Sequence, residues 1–187
     1  MKLAPSLSRS CVGALVVAGC CLALATGDQP AVDSSVDGDR AASVAVVVHS
    51  PTALAMSPDG QTIYAADATG VALVALDAAQ GTISASIALN GHPQSVAVST
   101  DGRTAYVGEY GAGTVAVVDL AAKSVATRIA VGRYPAAMAL AEKGRRLYVA
   151  DQEDHSVRVI DLAAAPQACV ARIEVRREPV SLAVTSD

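Results

Sequence analysis

The stretch Pro93-Gln94-Ser95-Val96-Ala97-Val98-Ser99-Thr100-Asp101-Gly102-Arg103-Thr104-Ala105-Tyr106-Val107-Gly108-Glu109 decides the fold, with its continuations Gly113 to Leu120 and Ser124 to Arg133. Nearly the same text begins at Pro51 and at Pro135, and it starts again at Pro179. The prolines are 42, 42 and 44 residues apart; Tyr64, Tyr106 and Tyr148 keep step at 42, as do Asp77, Asp119 and Asp161. A fixed period of this size marks a solenoid or a propeller.

One period divides into four short strands. The first opens on proline, which is tolerated where a strand need not donate to the ladder. Its alternation places Val96 and Val98 on one face and Ala97 on the other; Ala55, Ala139 and Ala183 are equivalent to Ala97. Small residues suit an innermost strand, where neighbouring sheets crowd toward an axis. Ser57-Pro58-Asp59-Gly60 and Ser99-Thr100-Asp101-Gly102 are tight hairpins, Asp bonding its own backbone and Gly supplying positive φ. The third copy, Ala141-Glu142-Lys143-Gly144, keeps only the glycine. The second strand centres on Tyr106, the third runs Thr114 to Leu120, and the fourth runs Val125 to Val131 with Arg128 expected to face outward. The two extra residues of the third copy fall in the turn Ala163 to Gln167. Helical spacing is absent, and four strands per period indicate a propeller blade.

Tyr64-Ala65-Ala66-Asp67, Tyr106-Val107-Gly108-Glu109 and Tyr148-Val149-Ala150-Asp151, with the flanking Ser-Pro-Asp-Gly and Val-Val-Asp-Leu segments, resemble the signature of the YVTN-type β-propeller repeat family. The resemblance covers about residues 43 to 187 and takes in lactonase-like and surface-layer-type propellers. It implies an all-β, extracytoplasmic propeller, commonly seven-bladed; some relatives are lactonases or accessory proteins of redox systems. The family usually has Asn where this chain has Asp67, Glu109 and Asp151. No lactonase catalytic set carries over residue by residue.

The chain is 52% hydrophobic but 3% aromatic, without Phe or Trp. Its apolar content is Ala and Val, as flat sheet-on-sheet packing uses. Residues 1–25 read as a secretory signal: basic Lys2 and Arg9, an apolar run from Cys11 to Leu24 too short to span a bilayer, and Ala23-Leu24-Ala25 before a cleavage at Thr26. The alternative is lipidation at Cys20, because Val17-Ala18-Gly19-Cys20 resembles a bacterial lipobox; only then is a membrane a partner. Residues 26–42 have the composition of a disordered linker. Cleavage leaves 12 basic and 18 acidic residues, a net charge of −6, which disfavours nucleic acid as a partner. Cys169 aligns with Val125 and Ile83 and reads as a small buried hydrophobe.

The expected domain is a partial propeller over residues 43–187, with blades at about 51–89, 93–131 and 135–175. Ser43–Val48 is an expected leading outer strand and Pro179–Thr185 a trailing inner strand. On this reading the chain is a truncated longer propeller, an open arc that cannot close alone and self-associates through open blade edges.

Propellers bind on one face, where the connection into each first strand meets the connection between the second and third. The candidate ligand-binding residues there are Asp67, His92, Glu109, Tyr110, Tyr134, Asp151, His155 and Glu178. The three acids recur at 42-residue spacing, so a ring makes them a rim able to hold a cation. The alternative is that each caps its own turn through backbone N–H groups. The histidines show no metal-ligand spacing and no catalytic residue is assignable, and the sequence leaves metal and cofactor open. The functions that remain open are a non-catalytic binding or scaffold module taking a protein or small-molecule ligand on its loop face, a metal-assisted lactonase-like hydrolase, and, from the resemblance, an accessory protein of a redox system.

Overall fold

The structure, a computed structural model, describes residues 49–185. The signal, the linker and the expected strand Ser43–Val48 lie outside the described residues. Within them, β1 (Pro51–Met56), β2 (Thr62–Asp67), β3 (Ala72–Asp77) and β4 (Ile83–Ala88) form one antiparallel sheet in sequence order. A second comprises β5 (His92–Val98), β6 (Thr104–Tyr110), β7 (Thr114–Asp119) and β8 (Ser124–Ala130). A third comprises β9 (Pro135–Ala141), β10 (Arg146–Asp151), β11 (Ser156–Asp161) and β12 (Ala168–Glu174). These are three propeller blades that do not share strands, an incomplete β-propeller.

The turns form as their residues dictate. The Asp59 and Asp101 carboxylates accept from the main-chain N–H of Gln61 and Arg103, each at 3.0 Å. Asp77, Asp119 and Asp161 likewise close the turns after the third strands, accepting from Ala79, Ala121 and Ala163 at 2.9 Å. The third copy's first hairpin, without its aspartate, becomes a short 3-10 turn over Glu142–Gly144. All three residues there have positive φ (50°, 56° and 84°), a conformation easy only for the glycine.

Blades pack face on face, the inner strands β1, β5 and β9 lying side by side. Tyr64, Leu73, Ile87 and Leu89 of the first blade meet Val107, Ala116 and Val118 of the second. Tyr106, Val115, Val117 and Ile129 of the second meet Leu147, Val149 and Ile160 of the third. Tyr64, Tyr106 and Tyr148 sit at one register position, opposite Ala55, Ala97 and Ala139. The small inner-strand residue makes room for the ring. Burying each large side chain of these interfaces stabilises by about 1.5–3 kcal/mol.

Three expectations need correction. Pro179–Thr185 forms no strand, because the described residues offer it no neighbouring strand to complete a ladder. Arg128 does not face solvent freely; its guanidinium turns back to the buried Glu109. Cys169 does align with Val125 and Ile83 in the ladder, but this position lies on an outermost strand and the thiol is only half-buried.

Candidate functional site

At the end of each second strand a carboxylate points not to solvent but to the chain leading into the same blade's first strand. Asp67, Glu109 and Asp151 are 1%, 0% and 0% exposed. Asp67 accepts from the main-chain N–H of Ser50 at 3.0 Å and of Thr69 at 3.1 Å, and its other oxygen meets His49 Nδ1 at 2.5 Å. Asp151 accepts from the N–H groups of Arg133 and Tyr134, both at 3.1 Å, and of Asp154 at 3.3 Å. Glu109, one methylene longer, takes the N–H of Asn90 at 2.9 Å and of Gly91 at 3.4 Å. Its second oxygen takes the Thr114 hydroxyl at 2.8 Å and Arg128 Nε at 2.9 Å.

These contacts set the electrostatics. Burial alone would raise the Glu109 pKa, but the donors Arg128, Asn90 and Thr114 outweigh it and hold the carboxyl below the ordinary glutamate value. Burial likewise opposes, and the His49 and Ser50 donors overcome it, to leave Asp67 below the ordinary aspartate value. The three acids therefore act as staples between two loops of one blade, each with its oxygens turned to donors of its own blade. Among the described residues no group of three or more His, Cys, Asp or Glu is placed to hold a metal ion. Gly132 completes the third staple: its φ is +126°, and a Cβ there would overlap the Asp151 carboxylate.

In front of the staples, two repeat positions meet at three junctions, between the first and second blades, between the second and third, and between the third blade and the stretch that follows it, with different chemistry each time. One is the residue before the proline; the other is the first residue after the stapling acid in the preceding blade. At the first junction the His92 ring reaches the Ala68 carbonyl at 3.4 Å. At the second, the Tyr110 and Tyr134 rings lie 4.6 Å apart at 53°. At the third, the Gln152 amide donates to Glu178 at 3.4 Å. A groove of about 440 Å³ opens at the second junction, lined by Tyr110, Gly111, Gly113, Gly132, Arg133 and Glu153. A smaller hollow of about 230 Å³ adjoins it, lined by Tyr134, Gln152, Glu153 and Glu178.

The structure thus brings together Tyr110, Tyr134 and Glu178 of the candidate residues, and sets Asp67, Glu109 and Asp151 behind them as staples. His92 stands apart at the first junction. His155 takes the left-handed turn position (φ 49°) that Gly113 fills in the second blade (φ 69°), its main chain bonded to Gln152 and Val175. Sequence reading missed Arg133 and the His49–Asp67 pair, and covered Gln152 and Glu153 only within the variable loop Asp151 to His155. The signal for His49 was its place two residues before Pro51, where Arg133 stands before Pro135.

An arc of four-stranded blades with its loops gathered at one end defines a β-propeller repeat protein. The sequence model of the family described as lactonase, 7-bladed beta-propeller, matches residues 37–131, just over half the chain, and the chain belongs to this family. The fold is similar to Kuenenia stuttgartiensis hydrazine synthase, at 26% identity and a TM-score of 0.67, covering 77% of this chain and 42% of that one. It is also similar to a proposed 6-phosphogluconolactonase from Bacteroides fragilis NCTC 9343 (18% identity, TM-score 0.61, 68% of this chain and 40% of that one). The WD40 repeats of RRP9 match at 18% identity and a TM-score of 0.61, over 70% of this chain and 40% of theirs. No curated protein matches the sequence. The chain spans about two-fifths of the length of these solved structures.

Proposed function

We propose that the chain is a non-catalytic binding module of an exported bacterial propeller, taking its ligand in the loop-side groove between the second and third blades. The observation that carries this is the division of labour on that face. The recurring carboxylates are engaged in loop staples, whereas the residues in front of them differ at every junction and, at one, form a tyrosine pair beside a glycine-lined trough. A concave site with aromatic walls and a few polar groups is the usual form of a ligand site. WD40 repeats of similar fold support a binding role by analogy of architecture alone. The basic start, short apolar run and small-residue site of residues 1–25 support export, with cleavage before Thr26 or lipidation at Cys20 distinguished by the mass of the mature chain.

The test is an array of immobilised capped octapeptides probed with the wild type and with a Tyr110→Ser/Tyr134→Ser variant of unchanged melting temperature. Peptides held by the wild type should be released by the variant. Identical binding patterns would remove the groove from the function.

The family match favours a second reading, a lactonase-like hydrolase, and the His49–Asp67 pair gives it a place to begin. A histidine held at Nδ1 by a buried carboxylate has its Nε2 directed elsewhere and suits a general base. Hydrolysis of δ-gluconolactone that disappears in His49→Gln would support it, and sensitivity to a chelator would add the metal.

A further inference from the structure

We propose that the hollow lined by Tyr134, Gln152, Glu153 and Glu178 receives a single organic cation, an alkylammonium or guanidinium group. This deepens the binding reading above and rests on it. The hollow offers about 230 Å³, room for the head of one basic side chain. One wall is Tyr134, half-buried, whose main-chain N–H donates to Asp151 and whose ring lies 4.6 Å from that of Tyr110. A phenol face attracts a cation through its quadrupole.

The other walls carry two carboxylates. Glu178 comes from the stretch after β12, and its contact in the structure is the long 3.4 Å hydrogen bond from the Gln152 amide. Glu153 faces Arg133 at 3.9 Å, a pair whose side chains are 45% and 79% exposed. A contact this long and wet contributes little and yields readily to a better-placed partner. The lining of the hollow therefore presents two acidic groups and no basic one, Arg133 lining the larger groove instead. This contrasts with the staples behind it, where Glu109 is fully buried and already paired with Arg128. A bound guanidinium would lie on Tyr134, bridge Glu153 and Glu178, and leave the ligand's remainder to run along Tyr110 in the adjoining groove.

The specificity follows from the repeat. The residue before the proline is Ser50, His92, Tyr134 and Glu178 in successive copies. Only where Tyr134 is followed by Glu178 do an aromatic face and a carboxylate become neighbours, so the cation site belongs to one junction rather than to the repeat.

The measurement is calorimetric and NMR titration of the full chain with acetyl-Gly-Arg-Gly-amide, its citrulline counterpart, which has the same shape without the charge, and free spermidine. Arginine peptide should bind at least about tenfold more tightly than citrulline peptide, and the preference should shrink with salt. Glu178→Gln should reduce the arginine preference about fivefold or more, Glu142→Gln on the opposite end of the third blade should leave it intact, and Tyr134→Leu should weaken the arginine peptide. Spermidine binding as tight as the peptide identifies a free amine as the source of the cation; weaker spermidine binding identifies a basic side chain. Equal binding of arginine and citrulline peptides, lost in the Tyr110→Ser/Tyr134→Ser variant, overturns the cation while leaving the groove as the binding face. Failure of the wild type to bind either peptide or spermidine also overturns it, and the octapeptide array then judges the groove independently.

Discussion

Replacing Glu109 by Ala tests the staple reading where it is most heavily built. The carboxylate is fully buried and accepts at 2.9 Å from Asn90 N–H, 2.8 Å from Thr114 Oγ1 and 2.9 Å from Arg128 Nε. The variant leaves those donors facing a gap. Breaking a buried ion pair from one side costs about 3–5 kcal/mol when the survivor stays dry. The Arg128 side chain is 30% exposed, so water recovers part of this, and the lower end, about 3 kcal/mol, is the expected loss. For a domain of this size that corresponds to a fall of roughly 10 °C in Tm. Urea denaturation followed by far-UV circular dichroism measures it. A double-mutant cycle with Arg128→Met should show coupling of at least about 1.5 kcal/mol, because either single change strands the other charge. A loss below about 1 kcal/mol, or an additive cycle, would refute the staple and return Glu109 to the pool of available ligands.

Acid should weaken the fold through the same groups: Asp67 and Glu109 have folded pKa values below their unfolded ones, so their stabilisation is complete above about pH 4.5 and fades as pH falls through the folded values. Denaturation midpoints of the wild type should therefore drop below that pH, and Glu109→Gln should flatten the drop. Gly132→Ala should destabilise by about 2 kcal/mol or more, since φ is +126° and its Cβ meets Asp151, whereas Gly111→Ala, at +82° in open space, should cost about 1 kcal/mol; equal losses would dismiss the close approach. Tyr106→Ala should cost about 3–5 kcal/mol by opening a cavity between the second and third blades.

The period, the four strands per blade and the strand limits were legible because each rests on local chemistry: Asp and Gly turns, period-two alternation, and a tyrosine opposite an alanine. The observed limits fall within a residue or so of the expected ones. What the sequence concealed is direction at the loop face. Spacing left Asp67, Glu109 and Asp151 readable either as a cation rim or as caps on their own turns, because it does not say whether an acid looks outward or back at its own loop; Asp67 and Asp151 do cap their turns, accepting from the N–H of Thr69 and Asp154. Arg128 was misjudged for the same reason: a long polar side chain on an outer strand can reach a buried partner 19 residues earlier. Gln152 and Glu153 carried no pattern, because the value of each depends on a neighbour from the next repeat.

The substitution of acids for the family's usual Asn has a consequence that the junction residues make visible. An Asn staple is neutral and leaves the face in front of it electrically free. A buried carboxylate needs donors, and this chain supplies them differently in each blade: the His49 ring in the first, Arg128 in the second, and three main-chain N–H groups in the third. The third blade therefore satisfies its acid without a side-chain cation. Its nearby arginine, Arg158, is engaged elsewhere, with Asp154 at 2.6 Å, holding that carboxyl below the ordinary aspartate value. With the inner acids supplied with donors in this way, Glu153 and Glu178 are the acids at this junction whose contacts are long or solvent-exposed. Charge available for a partner thus gathers where the stapling is done by backbone alone, beside the one junction that also carries a pair of aromatic rings.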